Sequence, residues 1–428
     1  MRIRVPGDKS LTQRALILAS LAQGESRLTG LLHGGDAEST AGALRALGVS
    51  IPSIPGAGGE VRIVGKGLSG LQSPGGPLDL GNSGTGTRLL LGVLAGSSVE
   101  ATVTGDESLR GRPMARVTQP LSAMGAVFSF MEQDGRLPIR VRGRRPLAAI
   151  DWSSPVASAQ VKSAILLAGV VGEAFALVTE PRRSRDHTER LLNHVGASVV
   201  SHAGQGGWRV ELRDPPESIG PLDFHIPGDI SSASFLLALG AMGATSDGVM
   251  TVEGVGLNPT RTAFLNVLER MGAELEIERT TDDAAPEPMG DVTVRSRGLR
   301  GTEIGADEIP ALIDELPLVA VLGARAEGVT RITGAEELRA KESDRIRALV
   351  DNFRTLGVEV EEQADGLVVQ GSERPLRGFV KAFGDHRIAM CFGVLNQVRS
   401  CEIEIDDPFA ADVSFPGFWK VLETVGRA

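Results

Sequence analysis

Cations and small polar residues recur in this chain where apolar runs begin. Lys9 and Ser10 open one run, and Arg14 lies a turn later on the same face. Asn82, Ser83, Gly84 and Thr85 open the next, with Arg88 one turn on. Ser158 and Gln160 open a third, with Lys162 beside them. Asp314 and Glu315 mark a fifth, and Asp385, His386 and Arg387 a sixth. Two more clusters read Arg110-Gly111-Arg112-Pro113 and Lys341-Glu342-Ser343-Asp344-Arg345. A helix start offers free N–H groups and a positive dipole end to an anion. Guanidinium forks add bidentate contacts. Singly, each residue reads as a solvated cation or a cap. Together they imply a ligand with two or more anionic groups, and phosphate and carboxylate both fit.

These residues need elements that bring them together. Six apolar helices are expected, beginning near Ser10, Gly84, Ser158, Ser231, Asp314 and His386, at steps of 72 to 83 residues. A second marker keeps the same period: an amphipathic helix that ends at glycine and turns into a strand. It occurs at 43–51, 120–130, 191–200, 267–277, 352–361 and 421–426. Glycine there supplies a left-handed cap. One supersecondary unit is therefore used six times. Strands with alternating polarity are expected at 27–30, 101–105, 176–180, 250–254, 330–334 and 402–406. The six helices are apolar nearly all round, so they belong inside, with sheets outside. Segments 53–60 and 280–291 read as loops.

The strings IRVPGDKS (3–10) and FHIPGDIS (224–231) repeat a strand, a Pro-Gly-Asp turn and a helix start. This divides six units into three plus three. Asp8 and Asp229 are suited to cap the helices that follow. The expected domains are 1–8 plus 228–428 and 9–227, with hinges near 7–9 and 227–229. Strand 2–6 would complete the C-terminal half. Closure on ligand is expected, because dispersed cations from both halves must meet one small molecule.

Composition narrows the partners. Lys and Arg number 44 against 54 Asp and Glu, a net charge of −10, which argues against nucleic acid. Cys391 and Cys401 have no metal or redox spacing, and the His residues are scattered, so neither metal nor cofactor is expected. There is no G-x-x-x-x-G-K-S/T loop, no dinucleotide fingerprint after a strand, and no recognisable Ser-His-Asp arrangement. No secretory h-region is visible at the start. The apolar stretch 163–178 is interrupted by Glu173 and is short for a bilayer span. A cytoplasmic protein is expected, with no membrane partner.

PGDKSLTQRALILASLA (6–22), GNSGTGTR (81–88), RGRPM (110–114), SAQVKSAILLAG (158–169), KESDRI (341–346) and DHRIAMCF (385–392) closely resemble the 5-enolpyruvylshikimate-3-phosphate synthase family. The likeness runs from Val5 to Phe418. It implies an α/β fold, a two-domain inside-out α/β barrel with three βαβαββ units per domain. It implies transfer of the enolpyruvyl group of phosphoenolpyruvate to the 5-hydroxyl of shikimate 3-phosphate. By resemblance, Lys9, Asp314 and Glu342 are catalytic. Lys9, Asn82, Gly84, Arg112, Gln160, Arg345 and Arg387 would hold phosphoenolpyruvate. Lys9, Ser10, Arg14, Ser158, Gln160, Ser184, Arg185, Asp314 and Lys341 would hold shikimate 3-phosphate. The resemblance also implies glyphosate as an inhibitor and a monomeric enzyme.

The chain departs from the family pattern in three places. Val413, in the expected loop FAADVS (409–414), stands near an expected Lys. Ser158-Ala159-Gln160 replaces Ser-Ser-Gln. No Tyr is present to stand near the 3-phosphate, which leaves Arg185 or Lys162 as substitutes. The nearest alternative is UDP-N-acetylglucosamine enolpyruvyl transferase. Against it stand Lys9-Ser10, where that enzyme has Lys-Asn, and the absence of Cys from GDESLRGRP (105–113). RNA 3′-phosphate cyclase, built on a related repeat, conflicts with the net charge. A non-catalytic anion-binding protein would not need Lys9, Asp314 and Glu342 intact.

Overall fold

The computed structural model describes residues 1–56, 59–245, 248–282 and 285–425. Gly426 of the last repeat, and parts of the segments 53–60 and 280–291, lie outside the described residues. The chain divides into two compact units, Met1–Pro6 with Pro227–Ala428, and Gly7–Ile226. The division falls at Pro6/Gly7 and Ile226/Pro227, slightly before the expected bounds at 8 and 227. The main chain explains the first shift. The Pro6 carbonyl accepts the Asp229 N–H at 2.9 Å. Gly7 instead lies so close to Gly30 that a Cβ there would sit 1.8 Å from the Gly30 carbonyl oxygen.

In the unit Gly7–Ile226, three core helices span Lys9–Leu21, Gly84–Gly96 and Ala159–Val171. Almost every residue after their first turns is buried. Each has a polar cap. Asp8 accepts the Leu11 N–H at 2.8 Å, Ser83 accepts the Gly86 N–H at 3.2 Å, and Ser158 accepts the Val161 N–H at 3.5 Å. The last two helices pack backbone to backbone: a Cβ on Gly92 would lie 2.3 Å from the Ala164 carbonyl oxygen. Around them lie sheets of one repeated design. Leu78–Asp79, Glu100–Thr104, Ile139–Arg142 and Val127–Phe130 form the first, with its leading pair parallel and the rest antiparallel. Ile150–Ser153, Ala176–Glu180, Gly207–Leu212 and Val199–Gly204 repeat that order. In the third, Asp223–His225 runs parallel to Glu25–Thr29, which pairs with Val61–Val64. Its fourth place holds only a single bridge from Ser50 to Val64.

The other unit has core helices Ile230–Ala241, Leu316–Gly323 and His386–Leu395. The N-terminal strand Arg2–Arg4 runs parallel to Val249–Gly256 and completes its first sheet with Met289–Arg295 and Glu274–Arg279. A strand therefore begins inside the segment 280–291 that reads as a loop. Glu303–Ile304, Val329–Ile332, Gly366–Gln370 and Val360–Gln363 form the second sheet. The third has only Leu376–Val380 and Cys401–Ile405. In place of a hairpin, the final repeat ends in the helix Phe418–Val425, where Phe418 meets Phe235, Phe415 and Trp419 edge-on.

The fold is α/β, with helices inside each unit and sheets around them. Each unit has its own apolar core. The expected helix-end glycines Gly48, Gly125, Gly196, Gly272 and Gly357 all have φ between +76° and +109°. Two local expectations change. The fifth core helix starts at Leu316, not Asp314, because the prolines at 310 and 317 divide it into Ile309–Leu312 and Leu316–Gly323. Residues 409–413 are not a loop but part of a 3₁₀ turn, Pro408–Val413, whose first carbonyl accepts the Trp419 indole N–H at 2.6 Å.

Candidate active site

In the unit Gly7–Ile226, hydrogen bonds tie the starts of the three core helices together. Gln13 Nε2 donates to the cap hydroxyl of Ser83 at 2.6 Å. Gln160 Nε2 donates to Thr85 Oγ1 at 2.9 Å, and its Oε1 accepts Arg88 Nη1 at 2.7 Å. Arg14 Nη2 reaches Ser163 at 3.3 Å, its Nε donates to Thr188 at 2.8 Å, and its Nη1 donates to the Ser10 carbonyl at 3.0 Å. Three positive helix ends are thus held side by side with Lys9, Arg14 and Arg88. This is the arrangement that draws an anion.

Arg112 joins this set from the turn after the short helix Glu107–Arg110. Its Nη2 donates to Asn82 Oδ1 at 2.6 Å, while Asn82 Nδ2 donates to Asp106 at 2.8 Å. Gly84 lies directly beneath two guanidinium groups. A Cβ there would sit 3.1 Å from Arg112 Nη1 and 3.2 Å from Arg88 Nη1. Lys9 pairs with the buried Asp36 carboxylate at 3.3 Å.

The Ser158 end carries a buried charge cluster. The Ser158 N–H donates to Glu180 Oε1 at 2.7 Å, and the Ser184 hydroxyl donates to Glu180 at 2.7 Å to Oε2 and 2.9 Å to Oε1. Lys162 is wholly buried between Glu180 at 3.1 Å and Glu189 at 2.7 Å. The expectation that Lys162 stands in for a phosphate-binding Tyr is corrected: two carboxylates already engage its ammonium. Arg185 is half-buried beside Ser184. Ser184 itself is buried, and its hydroxyl hydrogen is directed at Glu180.

The other unit holds the carboxylates. Asp314 lies in the break before Leu316 and faces three guanidinium groups: Arg345 at 3.8 Å, Arg387 at 3.8 Å and Arg261 at 4.0 Å. Arg387 Nη1 also donates to the Asp314 carbonyl at 2.9 Å. Arg345 is 1 % exposed and reaches Asp385 at 2.8 and 3.2 Å and Glu342 at 2.7 Å. Much of Arg345 is thus committed to carboxylates, beyond the simple anion clamp expected of it. Its Nη1 makes no hydrogen bond among the described residues. Burial alone would push the Asp385 carboxyl up, but Arg345 outweighs it and holds the group below the usual carboxylate range. Lys341 donates to Glu337 at 3.3 Å, and desolvation pushes its ammonium below the ordinary lysine range.

Sequence reasoning missed Asp36, Glu180 and Arg261 as members of these clusters, and placed Arg88 and Asp385 in them without giving either a role. Arg88 and Asp385 carried a signal, since each lies at a core-helix start. Arg261 carried little: it follows the Asn258-Pro-Thr turn, in which Asn258 Oδ1 accepts the Thr260 N–H at 2.8 Å. Among the described residues, no group of three or more His, Cys, Asp or Glu could hold a metal, and no helix is long and apolar enough to cross a membrane.

The fold is that of enolpyruvyl transferases. The crystal structure of the enolpyruvyl transferase NikO from Streptomyces tendae matches with a TM-score of 0.73 over 99 % of this chain and 94 % of NikO, at 18 % identity. EPSP synthase from Acinetobacter baumannii matches with a TM-score of 0.86 at 37 % identity, over 100 % of this chain and 95 % of that one. The model of the family EPSP synthase (3-phosphoshikimate 1-carboxyvinyltransferase) matches residues 1–422. The 3-phosphoshikimate 1-carboxyvinyltransferase of Desulforamulus reducens is 46 % identical over 99 % of this chain and 96 % of its own length. That of Gloeobacter violaceus is 47 % identical over the same shares. The chain belongs to the EPSP synthase family.

Proposed function

We propose that this chain transfers the enolpyruvyl group of phosphoenolpyruvate to the 5-hydroxyl of shikimate 3-phosphate, with release of inorganic phosphate. It is a transferase of the shikimate pathway, which leads to aromatic amino acids. One observation carries the reading beyond family membership: three linked helix starts gather Lys9, Arg14, Arg88 and Arg112 as donors for polyanions. The 5-hydroxyl adds to C2 of phosphoenolpyruvate while C3 gains a proton, giving a tetrahedral ketal. Loss of a C3 proton and of phosphate then forms the enol ether. Lys9, Asp314 and Glu342 are the proton-transfer groups. Arg112, Arg345 and Arg387, with Lys9, Gln160 and the Asn82–Gly84 backbone, hold the phosphate and carboxylate of phosphoenolpyruvate.

Ser10 and Arg14 take the carboxylate of shikimate 3-phosphate. Ser158, Gln160, Ser184 and Arg185 take its ring and 3-phosphate, and Lys9, Asp314 and Lys341 complete its contacts. Glyphosate competes for the place of phosphoenolpyruvate. The Pro-Gly-Asp segments 6–8 and 227–229 act as hinges between domains 9–227 and 1–8 plus 228–428 in this reading. The enzyme works as a cytoplasmic monomer. Phosphate release from phosphoenolpyruvate, assayed with shikimate 3-phosphate and separately with UDP-N-acetylglucosamine, tests the activity. Release is expected only with the first acceptor. Release with the second alone would assign the chain to the other transferase.

A further inference from the structure

Glu180 does more than neutralise Lys162. It ends the strand Ala176–Glu180 with its side chain fully buried. Its two oxygens accept the Ser158 N–H at 2.7 Å and the Ser184 hydroxyl at 2.7 and 2.9 Å, and they pair with the Lys162 ammonium at 3.1 Å. One carboxylate therefore fixes a core-helix cap and the segment that carries Ser184 and Arg185. Glu180 accepts the main-chain N–H of Ser158, not its hydroxyl, so that hydroxyl keeps its hydrogen for a ligand.

A carboxylate next to a phosphate would normally repel it. Here Lys162 offsets the charge. Burial pushes the Glu189 carboxyl up toward its neutral form, while Glu189 and Glu180 hold the Lys162 ammonium charged against its own burial. Ordering both serines beforehand spares a phosphate ligand the entropic cost of ordering them.

We propose that Glu180, paired with Lys162, is the positioning residue that presets Ser158 and the Ser184–Arg185 segment for the 3-phosphate of the substrate. The proposal rests on the functional reading above. Calorimetric titration of shikimate 3-phosphate and of unphosphorylated shikimate tests it, using the parent protein, Glu180→Gln, Ser184→Ala and the double variant. Glu180→Gln should weaken shikimate 3-phosphate about tenfold and shikimate less than about twofold. The double variant should bind shikimate 3-phosphate less weakly than the product of the two single effects, because Glu180 and Ser184 share a hydrogen bond. Equal weakening of both ligands, unaltered binding of shikimate 3-phosphate, or independent multiplication of the two effects would each overturn the proposal. If Glu180→Gln does not fold, Glu180→Asp decides, since it keeps a carboxylate beside Lys162 while drawing it back from Ser158 and Ser184. It must then weaken shikimate 3-phosphate more than shikimate, and equal effects reject the proposal. A parent protein that does not bind shikimate 3-phosphate at all would reject the functional reading, and the positioning role with it.

Discussion

Gly84→Ala is the substitution whose effect follows most directly from the geometry. Gly84 begins its core helix, and its φ is not in the left-handed region, so alanine fits the backbone. The new methyl would lie 3.1 Å from Arg112 Nη1, 3.2 Å from Arg88 Nη1 and 3.9 Å from Leu109 Cδ1. Both guanidinium ends must retreat by a few tenths of an ångström. Neither is slack: Arg112 donates to Asn82 at 2.6 Å and Arg88 to Gln160 at 2.7 Å. A charge-assisted hydrogen bond contributes about 1.5–3 kcal/mol, and weakening two of them in part costs about 1–2 kcal/mol. That corresponds to about a 5- to 30-fold rise in KM for phosphoenolpyruvate. Glyphosate inhibition should weaken at least as much. The fold should not suffer, since alanine favours a helix over glycine by about 0.5–1 kcal/mol. Initial rates against phosphoenolpyruvate and glyphosate, with a thermal melt, measure all of this. Unchanged KM and inhibition constant at equal Tm would refute the reasoning.

Three further outcomes are expected. Lys9→Met should lower kcat by about a thousandfold. Its Tm should move by no more than about 4 °C, because losing the Asp36 ion pair removes a small part of what holds the fold; near-normal kcat would contradict the role of Lys9. Asp385→Asn leaves Arg345 buried against one fewer charge and should cost about 3–5 kcal/mol in denaturant unfolding at neutral pH. The folded Asp385 carboxyl lies below its ordinary value, so its stabilisation is complete above about pH 4 and vanishes as pH falls through the folded value. The gap between parent and variant should therefore close toward acid pH, and a gap that widens there would refute the assignment. Gly92→Ala would place a methyl 2.3 Å from a backbone oxygen on the neighbouring helix, where no side chain can yield. It should destabilise by about 3 kcal/mol, and an unaffected denaturation midpoint would show that the helices can separate cheaply.

The repeat was legible because each unit repeats the same physical solution. Apolar helices with polar starts sit inside, and a glycine at φ near +100° turns the amphipathic helix into a strand. The recurrence of Pro-Gly-Asp also exposed the duplication. What sequence concealed was the partner of each charge. Lys162 looked like one more cation at a helix start, yet Glu180 and Glu189, 18 and 27 residues later, enclose it completely. Arg345 read as an anion clamp, but Asp385 and Glu342 take most of its donors. Such pairings depend on which strands lie together, and one-dimensional spacing carries little of that. Asp314 was placed on a helix, whereas flanking prolines put it in a break.

The most direct measurement follows phosphorus by NMR in a mixture of the purified chain, phosphoenolpyruvate and shikimate 3-phosphate. The phosphoenolpyruvate signal should convert to inorganic phosphate one-for-one with loss of shikimate 3-phosphate. The new product should keep its 3-phosphate ester. Release of phosphate without consumption of the acceptor, or no conversion at all, would contradict the proposed transfer.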